Sequence, residues 1–178
     1  MKTRAAAAVA LTLVASAARA EIRQFSYDPA NDDTRAAAGP VTFMVNQSLF
    51  GTRVLKMRST EAKATVNLAR ADAGALGGKG FWDTAGRGAS GREIYRVLPS
   101  DDGPALTAAL CPGSKQAWLA LTPVKYGLDV QVVVIGDDPA GGPARRCREL
   151  DFAFHGEWRL PPGATPDIDP VAPPDFPN

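Results

Sequence analysis

Hydrophobic and polar positions alternate with a period of two along most of this chain. From 41 to 47, Val41, Phe43 and Val45 oppose Thr42, Met44 and Asn46. From 62 to 68, Ala62, Ala64, Val66 and Leu68 share one side, and Lys63, Thr65 and Asn67 the other. Leu128, Val130, Val132 and Val134 line one face of a strand expected over 127–135, where Asp129 and Gln131 begin the opposite face. The last segment is the clearest. Leu150, Phe152, Phe154 and Trp158 have one parity, while Glu149, Asp151, His155 and Glu157 have the other. Such a period marks half-buried antiparallel strands. Further strands are expected over 21–27, 52–58, 92–98 and 116–123. Turn residues separate them, most strongly from Asp137 to Pro143, and Lys125-Tyr126-Gly127 suits a hairpin connection.

One helix is expected from about 103 to 110. Asp101 or Asp102 can cap it, Pro104 fits the first turn, Leu106 and Leu110 share a face, and Pro112-Gly113 stops it. This pattern predicts a mainly β fold with one short helix, either an antiparallel sandwich or a small barrel. An α+β roll is the alternative.

The two ends of the chain have a different character. Lys2 and Arg4 precede an apolar run from Ala5 to Ala17, and Ala18-Arg19-Ala20 offers small residues at a cleavage site. Residues 1–20 therefore read as a secretory signal peptide, with a mature chain starting at Glu21. The run is shorter than the roughly 20 residues a permanent span requires. Downstream, Val132-Val133-Val134-Ile135 is the longest strongly apolar run, a strand's length, so no membrane span is expected and the mature chain should be soluble. Residues 21–160 have the size of a single β-rich domain. From 161 to 178 there are seven prolines, three aspartates and no base, a composition that predicts a disordered tail.

Export changes the charge and the cysteine chemistry. Without Lys2, Arg4 and Arg19, 17 bases remain against 19 acids, a net charge of −2. No basic stripe is present, and the densest basic stretch, Arg145-Arg146-Cys147-Arg148, runs straight into Glu149 and Asp151. Nucleic acid is excluded as the expected partner. Cys111 and Cys147 are expected to form a disulfide, as an even pair in an exported chain does. That assignment and the signal place the protein in a periplasm or outside the cell.

Candidate chemistry is sparse. Residues 74–91 carry seven glycines, and Gly86-Arg87-Gly88-Ala89-Ser90-Gly91 matches G-x-G-x-x-G. A strand pattern follows it where a dinucleotide site needs a helix, so no nucleotide cofactor is expected. Within the same segment Phe81 and Trp82 are the expected ligand contacts, as aromatics in a glycine-rich loop. His155 is the one histidine. As a general base it could be oriented by Asp151 or Glu157, but no G-x-S-x-G or S-x-x-K supplies a nucleophile. A metal site across Glu149, Asp151, His155 and Glu157 fails on distance, because strand residues two apart lie nearly 7 Å apart. Neither catalytic nor metal-ligating residues are assigned, and no cofactor is expected.

The function expected from the sequence is therefore a non-catalytic binding or interaction domain with an envelope or extracellular partner. The alternative is a small hydrolase or metal-dependent enzyme using His155.

Overall fold

The computed structural model describes residues 21–49, 51–72 and 92–158. Eight strands close into one barrel, in the order β1 (Glu21–Pro29), β2 (Val41–Ser48), β3 (Gly51–Ser59), β4 (Ala64–Ala71), β5 (Glu93–Val97), β6 (Ala117–Leu121), β7 (Val130–Gly136) and β8 (Arg145–Trp158). Every strand is antiparallel to its neighbours, and β8 returns to β1. Of the two β architectures expected, the barrel is the one formed. The helix expected over 103–110 is α2 (Gly103–Leu110), between β5 and β6. A second short helix, α1 (Asp32–Ala37), joins β1 to β2. Asn31 caps it by accepting the Thr34 N–H at 2.8 Å.

Alternation decides what fills the barrel. Phe25, Tyr27, Phe43, Met57, Leu68, Tyr95, Leu119, Leu121 and Phe152 are fully buried and form one continuous core. Tyr27 meets Phe43 and Phe154 edge to face at 5.7 and 5.6 Å, contacts that each add about 0.5–1.5 kcal/mol beyond area burial. Gln24, Ser26, Thr42, Lys56, Arg58 and Thr65 point outward. Among the described residues, no helix is long and apolar enough to cross a membrane. On β5, β6 and β7 the outer positions Ile94, Ala120, Val133 and Ile135 are buried as well, which accounts for the unbroken run from Val132 to Ile135.

Both helices lie at one end of the barrel and close it. Ala37 at the end of α1 and Ala38 just after it, with Leu106 and Leu110 from α2, complete the core there. The Ser59 hydroxyl donates to the Ala38 carbonyl at 2.6 Å. Asp102 stands at the N-cap position of α2, yet its carboxylate does not cap the helix. It accepts the Thr65 N–H at 2.9 Å, so the capping group fastens the helix to β4 instead. At the same end Cys111 and Cys147 lie at disulfide distance, with Cα atoms 5.2 Å apart. Gly136 leaves room for this pair, because a β-carbon there would collide with the Cys111 sulfur and the Ser114 hydroxyl.

Three bulges interrupt two strands, one in β3 and two in β8, and two of the three redirect side chains. In β3 the register slips between Met44↔Lys56 and Val45↔Val54, so Leu55 is the extra residue. In β8 it slips between Tyr27↔Phe154 and Ser26↔Gly156, so His155 is extra. The face expected for the end of β8 is therefore reversed. Trp158 points outward and is 63% exposed, whereas the Glu157 side chain is only 9% exposed and meets Arg23 at 3.4 Å. Leu128 also departs from expectation. It falls in the β6–β7 connection, before β7 begins at Val130, and is exposed.

Two predictions follow from the core. Replacing Cys111 and Cys147 by serine should cost about 4 kcal/mol, the chain-entropy value for a sequence separation of 36, and a thermal melt should register the loss. Gly136→Ala should lower the same midpoint by crowding the sulfur. The second prediction concerns Tyr27 and Tyr95. Burial pushes both hydroxyl pKa values well above the usual tyrosine range, with Glu93 raising Tyr95 further through its hydrogen bond. An acid whose pKa is raised on folding stabilises the fold fully below its unfolded pKa. That contribution is lost as pH climbs above about 10 toward the folded value. Alkaline melts should show this loss. The two hydroxyls should differ at neutral pH. Tyr95 Oη accepts from the Val54 N–H at 3.1 Å and donates to Glu93, so Tyr95→Phe should cost about 1–3 kcal/mol. Among the described residues Tyr27 Oη has no hydrogen-bond partner, so Tyr27→Phe should be neutral or stabilising there, and should remove its share of the alkaline loss.

Candidate functional site

Because side chains fill the barrel, a ligand site has to lie on its surface. A groove of about 510 Å³ crosses the outer face of β8, β1, β2, β3 and β4. Strand register organises its floor into two rungs. One runs Trp158–Gln24–Met44–Lys56–Asn67, each residue paired with the next across neighbouring strands. The other runs Gly156–Ser26–Thr42–Arg58–Thr65. Thr60, just beyond β3, adds a hydroxyl to the lining and donates to the Pro40 carbonyl at 3.0 Å.

The two bulges create this composition. The slip at His155 rotates Trp158 out of the barrel to wall one end of the groove. The slip at Leu55 turns Lys56 and Arg58 outward together on β3. Between these ends the second rung carries small residues, with Gly156 leaving open space where any other residue would place a β-carbon. Ser26 Oγ and Thr42 Oγ1 lie 3.1 Å apart and share one hydrogen bond, so their remaining donor and acceptor capacity faces the groove. The result is an aromatic wall, a hydroxyl-lined floor and a cationic pair.

Carboxylates border the groove at both ends. On the β4 side, Asp101 accepts from Asn67 Nδ2 at 3.1 Å, beside the Asp102 bond to Thr65. On the β8 side, His155 Nδ1 lies 2.8 Å from Asp28 Oδ2. Asp28 is therefore the carboxylate that orients the histidine, and neither of the two expected from the sequence does so. Asp151 accepts from Gln131 and Asn31, and Glu157 takes Arg23. Ser26, on the same outer face of β1, hydrogen-bonds Thr42 and not the imidazole. Among the described residues no group of three His, Cys, Asp or Glu is placed to hold a metal ion.

Phe81 and Trp82, the ligand contacts expected from the sequence, lie outside the described residues, as do residues 1–20, expected to be a signal, and the proline-rich residues 161–178. The groove residues escaped the sequence reading because they come from five separate strands and none belongs to a motif. Their signal was the outward parity of each strand, legible only once neighbouring strands are known. The chain matches no protein-family model, no curated protein and no solved structure at a significant level.

Proposed function

We propose that this chain is an exported, non-catalytic binding domain of the cell envelope or extracellular space, and that the outer groove is its ligand contact. The groove carries the reading. It joins an exposed tryptophan to a row of hydroxyl, amide and cationic groups, the mixture of apolar surface and convergent polar groups that binding sites use. The signal-like residues 1–20 and two cysteines at disulfide distance support export.

The Asp28–His155 contact supports a second reading, a small hydrolase with His155 as general base, since a carboxylate on Nδ1 fixes the tautomer such a base needs. One experiment separates the two. The full chain should cosediment with isolated cell-envelope material, and a Trp158→Ala/Arg58→Ser double variant should lose most of that retention. Arg96→Ser, on the exposed outer face of β5, should retain it. Retention of the double variant at the parent's level would overturn the groove as the contact. For His155→Ala, the binding reading expects unchanged retention, whereas the hydrolase reading expects abolished turnover of an ester or glycoside panel.

A further inference from the structure

We infer that the groove's ligand is an extended anionic glycan, with one sugar ring against the face of Trp158 and an acidic group at Lys56 and Arg58. The inference rests on the binding reading above and names the chemistry of that same site. Its first support is length. Trp158 and Lys56 stand three strands apart, roughly 14 Å at ordinary interstrand spacing, so a single small molecule would not touch both ends of the rung. An extended chain would.

The second support is the character of the floor. Ser26, Thr42, Thr60 and Thr65 present hydroxyls, Gln24 an amide, and Met44 a thioether. A ligand dense in hydroxyl groups finds partners along the whole trough, while an aromatic ring offers the apolar face that the C–H side of a sugar packs against. An extended peptide fits poorly. Peptides gain most by adding a strand to a sheet edge, whereas this groove runs across the outer face of neighbouring strands and not along an edge.

The third support is charge. Arg58 and Lys56 project from the same face of β3, a guanidinium with five donors beside an ammonium. Asp101 and Asp102 lie past them on the β4 side, each already hydrogen-bonded to that strand, and Asp28 with His155 marks the far end. The positive charge is thus confined to a short stretch between acids. That arrangement suits isolated acidic groups spaced along a chain. A continuous polyanion such as nucleic acid or polyphosphate would run its charges past the aspartates.

The test uses the full chain in calorimetric titrations against hyaluronan, alginate and oligogalacturonate fragments, each beside its methyl ester, with linear polyphosphate as the sugar-free polyanion. At least one acidic fragment should bind about tenfold or more tightly than its ester, and polyphosphate should bind more weakly than that fragment. Arg58→Ser should erase the difference between acid and ester while leaving the ester's affinity in place. Trp158→Ala should weaken both severalfold, and Trp158→Phe should restore much of the loss. Melts of each variant establish that it is folded. Equal binding of acids and esters overturns the anionic part, and polyphosphate binding as tight as the best glycan overturns the sugar part. If no glycan binds while envelope retention still depends on Trp158 and Arg58, the glycan inference falls and the binding reading stands. If that retention is also indifferent to the groove, both fall.

Discussion

The structure depends on the pairing of its first strand with its last. β8 performs this closure by changing partners along its length. Residues 145–152 pair with β7, residues 152–158 pair with β1, and Phe152 alone is paired on both sides. Without that transfer the eight strands would form an open meander with two unsatisfied edges and half a core. With it, Phe25, Tyr27, Phe152 and Phe154 meet from the two ends of the chain and close the interior. A strand that turns from one neighbour to another must bend, and the β8 bulges at Cys147 and His155 are where it does so.

The bend also supplies the site. A regular β8 would bury Trp158 among the core aromatics and direct Glu157 to solvent. The extra residue at His155 exchanges their positions, leaving an indole on the surface and a carboxylate beside Arg23. Leu55 plays the corresponding part in β3, where it puts Lys56 and Arg58 on the outer face. Closure geometry and surface chemistry thus share their cause, and the groove crosses the five strands that lie on either side of the β8–β1 seam.

The fold was legible because burial in a barrel enforces strict alternation. Val41, Phe43 and Val45 on β2, and Val66 and Leu68 on β4, face inward as their spacing predicts, and α2 occupies the expected span. Alternation fails where the backbone slips, and the faces of Glu157 and Trp158 were misjudged for that reason. A bulge leaves no mark in residue type at His155. The helix α1 was missed despite a usable signal, because Asn31 followed by Asp32 and Asp33 is a sound helix start but six residues show no period. The cap of α2 was misjudged differently, since nothing local reveals that the Asp102 carboxylate serves Thr65. The groove was least legible. Its residues face outward, as their parity says, but their assembly into rungs requires the strand order.

That order allows the barrel to be assembled strand by strand. Strands neighbouring in the chain also neighbour in space, so each can join the sheet in order of synthesis, until β1 and β7 form its edges. β1 then keeps one flank bare until residue 158 arrives, because its remaining partner is synthesised last. A barrel assembled in that order would carry an exposed edge of aromatic character at Phe25 and Tyr27 until closure, the kind of edge that recruits strands from other chains. Asp28 and Pro29 sit at the end of that edge, a charge and a missing N–H donor. They blunt a hazard that disappears once the last strand docks.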